Sequence, residues 1–433
     1  MNQLRAFAFL AILVSAFAFT EPVPIRSLIK EDLTYLLEFY KTRHQFPEIS
    51  LEEKETAKAL AEELRKVGFE VTEQFGGYGI VGILKNGEGP TILYRTDMDA
   101  LPMPEKTNLP YASKETTMYN GQEVGTMHSC GHDMHMTTWL GTARLMARMK
   151  DRWNGTLMLI GQPAEEIGAG AKMMLDNGLY EKFTVPDYGV GLHCSPTIPS
   201  GQVGFGKGFT MANTESIDIN VFGVGAHGAS PHMSIDPVVL ASMMVMELQT
   251  IVSRTLKPTD PAVITVGAIK GGTKHNIISD EVTLKLTVRT YTEEVRQLVH
   301  QRIKEIAKGL AIAAGLPEDK MPEVIIPEVF TPANYNHPEL VDRMVVSASK
   351  AIGEAQVIEA EPLMVGEDFA RYGKTKHKVP TVLFWLGTAP EERIKSGQLP
   401  GLHSPHYFPE MKQTLETGIE VVSQSLLDLF KKV

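Results

Sequence analysis

The densest chemistry in this chain is the octet His128-Ser129-Cys130-Gly131-His132-Asp133-Met134-His135. Four further clusters carry side chains that ligate metals. They are Asp97 and Asp99 in Arg-Thr-Asp-Met-Asp-Ala, Glu165-Glu166 after Gln-Pro-Ala, His193 in Gly-Leu-His, and His403 in Gly-Leu-His-Ser. Thiolate, imidazole and carboxylate are the donors that hold zinc-like or manganese-like ions. No one cluster defines a site. Cys-x-His also surrounds buried cysteines, a Glu-Glu pair suits a helix start, and a lone His after a strand is often a satisfied polar residue. Together, most of them close to an expected strand end, they point to metal-assisted hydrolysis, in which cations activate water and polarise a carbonyl.

Elements must bring these clusters together. Residues 28–64 read as helix, loop, helix, with Leu33, Leu36, Leu37 and Tyr40 at helical spacing and Ser50 and Glu53 forming a capping box for the second helix. Residues 79–84 and 91–95 read as strands, 137–149 as a helix leaving the metal loop, and 156–161 as a buried strand running into Gln162-Pro163-Ala164-Glu165-Glu166. Strands alternating with helices predict an α/β sheet covered on both faces, with ligands gathered at the carboxyl ends of its strands.

The pattern changes near Thr214. Residues 216–223 alternate apolar and polar as a half-exposed strand, followed by an apolar helix over 237–254. Strands over 262–270 and 282–290, joined through Gly271-Gly272, a helix over 293–314 and a strand over 323–326 complete a β-α-β-β-α-β, ferredoxin-like unit. His403 follows this unit, so the catalytic domain is predicted to be discontinuous: residues 26–212 and 326–433, with an α+β lid at 213–325.

The bulk numbers fit two domains: 433 residues, 43% hydrophobic and 22% charged. A formal net charge of -10 argues against a nucleic-acid groove. Arg5 precedes an apolar run over 7–19, and Ala16-Phe17-Ala18 offers a small-residue cleavage site, so residues 1–18 read as a secretory signal peptide. The run falls short of the roughly 20 residues that span a bilayer. An exported protein, periplasmic or secreted, with no stable membrane insertion after cleavage, is the expectation. The two cysteines, Cys130 and Cys194, could form one disulfide. A metal thiolate at Cys130 is the better use, because Cys194 adjoins His193 on a strand and neighbouring side chains there face opposite ways.

The ordered strings Arg95-Thr-Asp-Met-Asp-Ala-Leu-Pro, His128-Ser-Cys-Gly-His-Asp-Met-His, Gln162-Pro-Ala-Glu-Glu, Gly191-Leu-His, Gly225-Ala-His-Gly-Ala-Ser-Pro-His and Gly366-Glu-Asp-Phe carry a resemblance. They resemble the amidohydrolases related to hippurate hydrolase, N-acyl-amino-acid deacylases and auxin-conjugate hydrolases, within the wider dinuclear metallopeptidase family of glutamate carboxypeptidases. The similarity runs from about His44 to the C-terminus. It implies a dinuclear-metal catalytic domain and a smaller lid that often dimerises, hence a homodimer or higher homo-oligomer.

By that resemblance Cys130, His132, Glu166, His193 and His403 are metal ligands, with Cys130 bridging two divalent ions. Zinc or manganese suits these donors, with cobalt or nickel as further candidates. Glu165 is implied as the general base. His227 is implied to reach the site from the lid of this chain or of a partner subunit, to stabilise an oxyanion. Asn276 and Arg289 are implied to grip a substrate carboxylate, which guanidinium geometry favours. His128, His135 and Asp97 are expected to orient ligands rather than bind metal, Asp99 is left without a firm role, and His232 is a structural companion of His227. The family often has Pro where Ser279 stands, a departure confined to the lid. The expected activity is hydrolysis of N-acyl or N-aroyl amino acids. The alternatives are a dipeptidase or carboxypeptidase on the same scaffold, or a non-catalytic, metal-stabilised binding protein.

Overall fold

The computed structural model describes residues 23–431; the leader expected over residues 1–18 lies outside them. The first half contributes six strands to one sheet: β1 (Glu70–Thr72), β2 (Ile80–Asn86), β3 (Thr91–Asp97), β4 (Gly155–Gln162), β5 (Tyr188–Pro199) and β6 (Val203–Phe205). After a long excursion the chain returns to add β11 (Val357–Glu359) and β12 (Thr381–Ala389). The order is β1-β2-β4-β3-β5-β12-β6-β11, so this eight-stranded sheet draws on both sides of the excursion. Every residue of β3 and of β12 is buried. Parallel strands covered on both faces need such continuous apolar runs.

Helices α1 (Ile25–Gln45), α2 (Lys54–Lys66), α3 (His132–Arg148) and α6 (Met411–Leu429) share one hydrophobic core with the sheet. Trp139 of α3 is fully buried there, and its indole N–H donates to the Tyr94 carbonyl at 3.2 Å. This ties the helix that leaves the metal loop to the strand that ends at Asp97.

The excursion forms its own sheet from β7 (Asn213–Phe222), β8 (Ala262–Gly271), β9 (Glu281–Thr290) and β10 (Glu323–Ile325), ordered β8-β9-β7-β10. Its pairings are antiparallel. Helices α4 (Pro237–Thr250) and α5 (Glu293–Ala313) cover one face, with Leu240, Met244, Val299 and Ile303 packed on Ile219 and Leu284 in a separate core. This is the expected split β-α-β-β-α-β arrangement. One detail differs: the link between β8 and β9 is more than a glycine turn. Ile277–Ile278 pairs with Ala226–His227 as a second, small ribbon.

Two local expectations fail for physical reasons. Ser50 and Glu53 do not cap α2. The Glu48 carboxylate accepts the Glu55 and Thr56 N–H groups instead (3.1 and 2.7 Å), and Ser50 donates its hydroxyl to Asp99 at 2.6 Å. The helix expected from Thr137 begins five residues earlier, at His132. Its first turns are buried all round, so no amphipathic period marks them.

Candidate dinuclear metal centre

The register of β3 explains where the site opens. Beside β4 it pairs along its whole length, but beside β5 only Ile92–Tyr94 pair with Tyr188–Val190. Beyond that point the two parallel strands diverge. Asp97 and His193 stand at the crevice so formed, which is where open α/β sheets place ligands.

The loop before α3 lines this crevice. Gly131 has φ +83°, a conformation that favours glycine, and a Cβ there would lie a tight 3.1 Å from Cys194 Cβ. The turn places His132 at the first residue of α3. Cys194 packs beneath Gly131, with its thiol directed at the Gly131 carbonyl at 3.8 Å, and both cysteines are free. His193 and Cys194 therefore face opposite ways, as their adjacency on a strand requires.

The imidazoles present their Nε2 atoms inward. His132 Nδ1 donates to the Asp99 carbonyl at 2.7 Å, leaving Nε2 buried and without a hydrogen-bond partner. His193 Nδ1 donates to the Cys194 carbonyl at 2.9 Å, leaving Nε2 3.5 Å from Cys130 Sγ. Glu166 Oε1 is likewise buried without a partner, and Glu166 Oε2 lies 3.4 Å from His403 Nε2. His403 arrives on the returning half of the chain with φ +60°. Its N–H donates to the Ser129 carbonyl at 2.9 Å, which pins the two loops together.

Two donor triads result, Cys130–His132–His193 and Cys130–Glu166–His403, each with donor atoms within 4.8 Å of one another. Cys130 belongs to both, the arrangement a thiolate shared by two cations requires. A third grouping, Asp97–His132–His135, satisfies the same distance, but its Asp97 and His135 are already engaged. His135 Nδ1 donates to Asp97 Oδ1 at 2.7 Å and its Nε2 accepts the Cys194 N–H at 2.8 Å. Asp97 Oδ2 takes Arg95 Nη1 at 2.7 Å. Asp97 and His135 thus fix their neighbours in place.

The electrostatics call for positive charge. Burial, reinforced by Glu166 and Glu165, holds the Cys130 thiol well above its usual range. Burial, Glu367 and Glu166 do the same for Glu165. Burial pushes Glu166 up to about 8 although His132 opposes it. Buried acids that raise one another's proton affinity are stabilised as anions by cations set among them. The donor types and the orphaned buried atoms both fit divalent metals.

Several functional residues were not singled out from sequence. Arg95, 1% exposed, donates to Gln162 Oε1 (2.9 Å), Asp97 Oδ2 (2.7 Å), Glu367 Oε1 (2.8 Å) and Asp368 Oδ1 (3.2 Å). Glu367 and Asp368 carry carboxylate oxygens within 4.8 Å of Glu165. The signal was present, since Arg95, Gln162 and Gly366-Glu-Asp-Phe all lie in the ordered strings, but side-chain type alone does not reveal a buried ion cluster.

The residues expected on the lid are placed differently from those of the two donor triads. His227 is exposed on the small ribbon, with Nδ1 accepting the Ala229 N–H at 3.1 Å. Asn276 is exposed beside it, its carbonyl accepting the Gly228 N–H at 2.9 Å. Neither has a hydrogen bond to the metal-binding cluster within this single chain. Arg289 lies at the junction of the two units, where Nη1 donates to Met364 O (2.9 Å) and Thr214 Oγ1 (3.2 Å). His128 is buried with both ring nitrogens unpartnered.

Comparison with known proteins agrees with this geometry. Residues 93–428 match the peptidase family M20/M25/M40. The chain is 40% identical over 355 residues to the hippurate hydrolase of Campylobacter jejuni, covering 81% of this chain and 88% of that one. It is 35% identical over 373 residues to thermostable carboxypeptidase 1 of Saccharolobus solfataricus, covering 85% and 90%. Among solved structures it resembles the Bacillus subtilis YXEP protein, described as a dinuclear metal binding peptidase from the M20 family. That match has a TM-score of 0.73 and 30% identity, over 93% of this chain and 98% of the other. The chain belongs to peptidase family M20/M25/M40. It is a metal-dependent hydrolase acting on linear amide bonds.

Proposed function

We propose that this protein is an exported amidohydrolase that cleaves the amide of N-acyl or N-aroyl amino acids at a dinuclear site. The observation that carries the reading is the sharing of Cys130 between two donor triads beside Glu165. Similarity to a hippurate hydrolase over 81% of the chain supports the substrate class. Cys130, His132 and His193 would hold one divalent cation, and Cys130, Glu166 and His403 the other. Thiolate and imidazole suit zinc, and the carboxylate also suits manganese.

Bound there, the cations supply a polarised carbonyl and a more acidic water. The remaining work falls to side chains. Glu165 removes a proton from the attacking water. The water oxygen then forms a bond to the acyl carbon. Glu165 returns the proton to the amide nitrogen as the C–N bond breaks, releasing a carboxylate and the free amino acid. His227, carried on the exposed lid ribbon, donates to the oxyanion when the lid of this chain or of a second copy closes. Asn276 beside it and Arg289 at the junction bind the substrate carboxylate. In this reading residues 26–212 with 326–433 form the catalytic unit and 213–325 the lid.

A homodimer through the lid completes the proposal. The outer face of α4 leaves Val239, Met243 and Met246 at 56%, 50% and 74% exposure. Strand β8 is one edge of the same sheet. Contiguous apolar surface next to an open edge favours pairing with a second copy.

Glu165→Ala tests the chemistry. It should retain two metal equivalents and lose turnover by at least about 10²-fold; full turnover with both metals bound would remove Glu165 as the base. A panel of hippurate, N-acetyl amino acids and free-amine dipeptides tests the substrate. The similarity to a carboxypeptidase makes peptide hydrolysis the rival reading, and faster turnover of the peptides would select it.

A further inference from the structure

Glu53 is a carboxyl that the metal chemistry does not use. It is 0% exposed, and its Oε2 is buried without a hydrogen-bond partner. It stands at the start of α2, where a carboxylate ordinarily caps its own helix, yet it makes no such cap. Glu48 has taken the Glu55 and Thr56 N–H groups instead. The Glu53 side chain crosses to β4's continuation, where Oε1 accepts the Ala164 N–H at 2.7 Å.

Ala164 has φ +53°, in the left-handed region that a residue with a Cβ adopts only when its surroundings impose it. Those surroundings are visible. The Ala164 carbonyl accepts the Ala169 and Gly170 N–H groups, both at 3.1 Å. Its own N–H is held by Glu53, and the next two, of Glu165 and Glu166, are held by Asp99 Oδ1 and Oδ2 at 3.1 and 2.9 Å. Three consecutive amides are thus pinned by two buried carboxyls from distant parts of the chain. The turn they define sends Glu165 and Glu166 into the crevice as neighbours with different tasks.

We infer that Glu53 is a positioning residue for the hydrolysis, acting through the Ala164 N–H to hold the left-handed turn that aims Glu165. The inference rests on the reading of Glu165 as the base. Because Glu53 meets the Glu-Glu turn through a backbone N–H, its role is conformational. A conformation imposed on a residue that resists it is replaced by one that accepts it if the residue becomes glycine.

The experiment uses the metal-loaded full-length protein with five variants. Its readouts are metal content, kcat and KM on hippurate, and amide hydrogen exchange of residues 162–170 by mass spectrometry. Glu53→Ala and Glu53→Asp, which remove or withdraw the acceptor, should lower kcat about 10- to 100-fold with KM and two metal equivalents kept. Exchange in the segment should rise. Glu53→Gln, which retains an acceptor oxygen at the same reach, should stay within about threefold of the parent in kcat and in protection. Ala164→Gly placed on Glu53→Ala should recover at least half of the lost factor on a logarithmic scale. Unchanged exchange and kcat in Glu53→Ala and Glu53→Asp would overturn the inference, as would a loss that neither Glu53→Gln nor Ala164→Gly relieves. Failure of the base reading looks different: Glu165→Gln would then turn over like the parent whatever Glu53 does.

Discussion

His132 donates its Nδ1 proton to the main-chain oxygen of Asp99 across 2.7 Å. That contact sets the tautomer of one expected metal ligand. The carboxylate of the same aspartate accepts the N–H groups of Glu165 and Glu166. One residue therefore orders both walls of the crevice. Asp99→Ala leaves two buried N–H groups unpaired and frees the Glu-Glu turn. We expect metal affinity to fall about 10- to 100-fold and kcat by a similar factor at saturating metal, measured by titration with a competing chelator and by steady-state kinetics. Parent-like values for both would show that the turn holds itself.

Cys130 offers a sharper test of stoichiometry. If one thiolate serves two cations, Cys130→Ala should bind no more than one metal per chain. It should also lose several kcal/mol of transition-state stabilisation, roughly 10³-fold in kcat. Cys194→Ala is the matched control. Its sulfur lies under Gly131 on the other side of the strand, so both metals should remain. Elemental analysis of the two variants decides between a bridging and a merely packed Cys130.

The sequence was most legible where spacing and chemistry coincide. The buried strands and the lid's β-α-β-β-α-β order follow from residue type and position, and the set Cys130, His132, Glu166, His193 and His403, implied by the resemblance of the ordered strings, comes together in the two donor triads. What escaped reading has a common cause. Glu53 looked like a capping-box residue because its neighbours spell one; only the fold shows that Glu48 takes the helix donors and Ala164 takes Glu53. Arg95 was only one letter of an ordered string, and in the fold it is the centre of a buried cluster with Glu367 and Asp368 from 272 and 273 residues away. The early start of α3 was hidden because a helix buried all round loses its period. Long-range polar partners leave no local trace.

The lid surface yields a prediction about assembly. Met243 and Met246 project from α4 with at least half of their surface free. Met243→Lys with Met246→Lys should leave the fold intact, since exposed substitutions away from special features change stability by about 0.5 kcal/mol or less. A dimer joined through this face should separate into monomers on sizing by light scattering. If His227 is donated by the second copy, kcat should fall with the dimer fraction. A variant that keeps the parent's mass would place any subunit contact elsewhere.

His44 links the fold to pH. Its ring is 1% exposed, with Nδ1 2.7 Å from Asp133 Oδ2 and Nε2 3.0 Å from Glu105 Oε1. Burial alone would lower its proton affinity, but the two carboxylates outweigh it and carry the imidazole up to about 9. The folded state therefore holds this proton more tightly than the unfolded chain, whose His titrates near 6.5. The stabilisation is fully present below about pH 6.5, declines as pH rises, and is gone above about pH 9. A shift of that size corresponds to about 3 kcal/mol. Because Asp133 follows His132 directly, the loss should loosen the start of α3 as well as the contact between α1 and that loop. Denaturant unfolding at pH 6 and pH 9.5 checks this. The parent should lose about 3 kcal/mol relative to His44→Gln across that interval, and parallel curves for the two proteins would show that the triad is not charged in the fold.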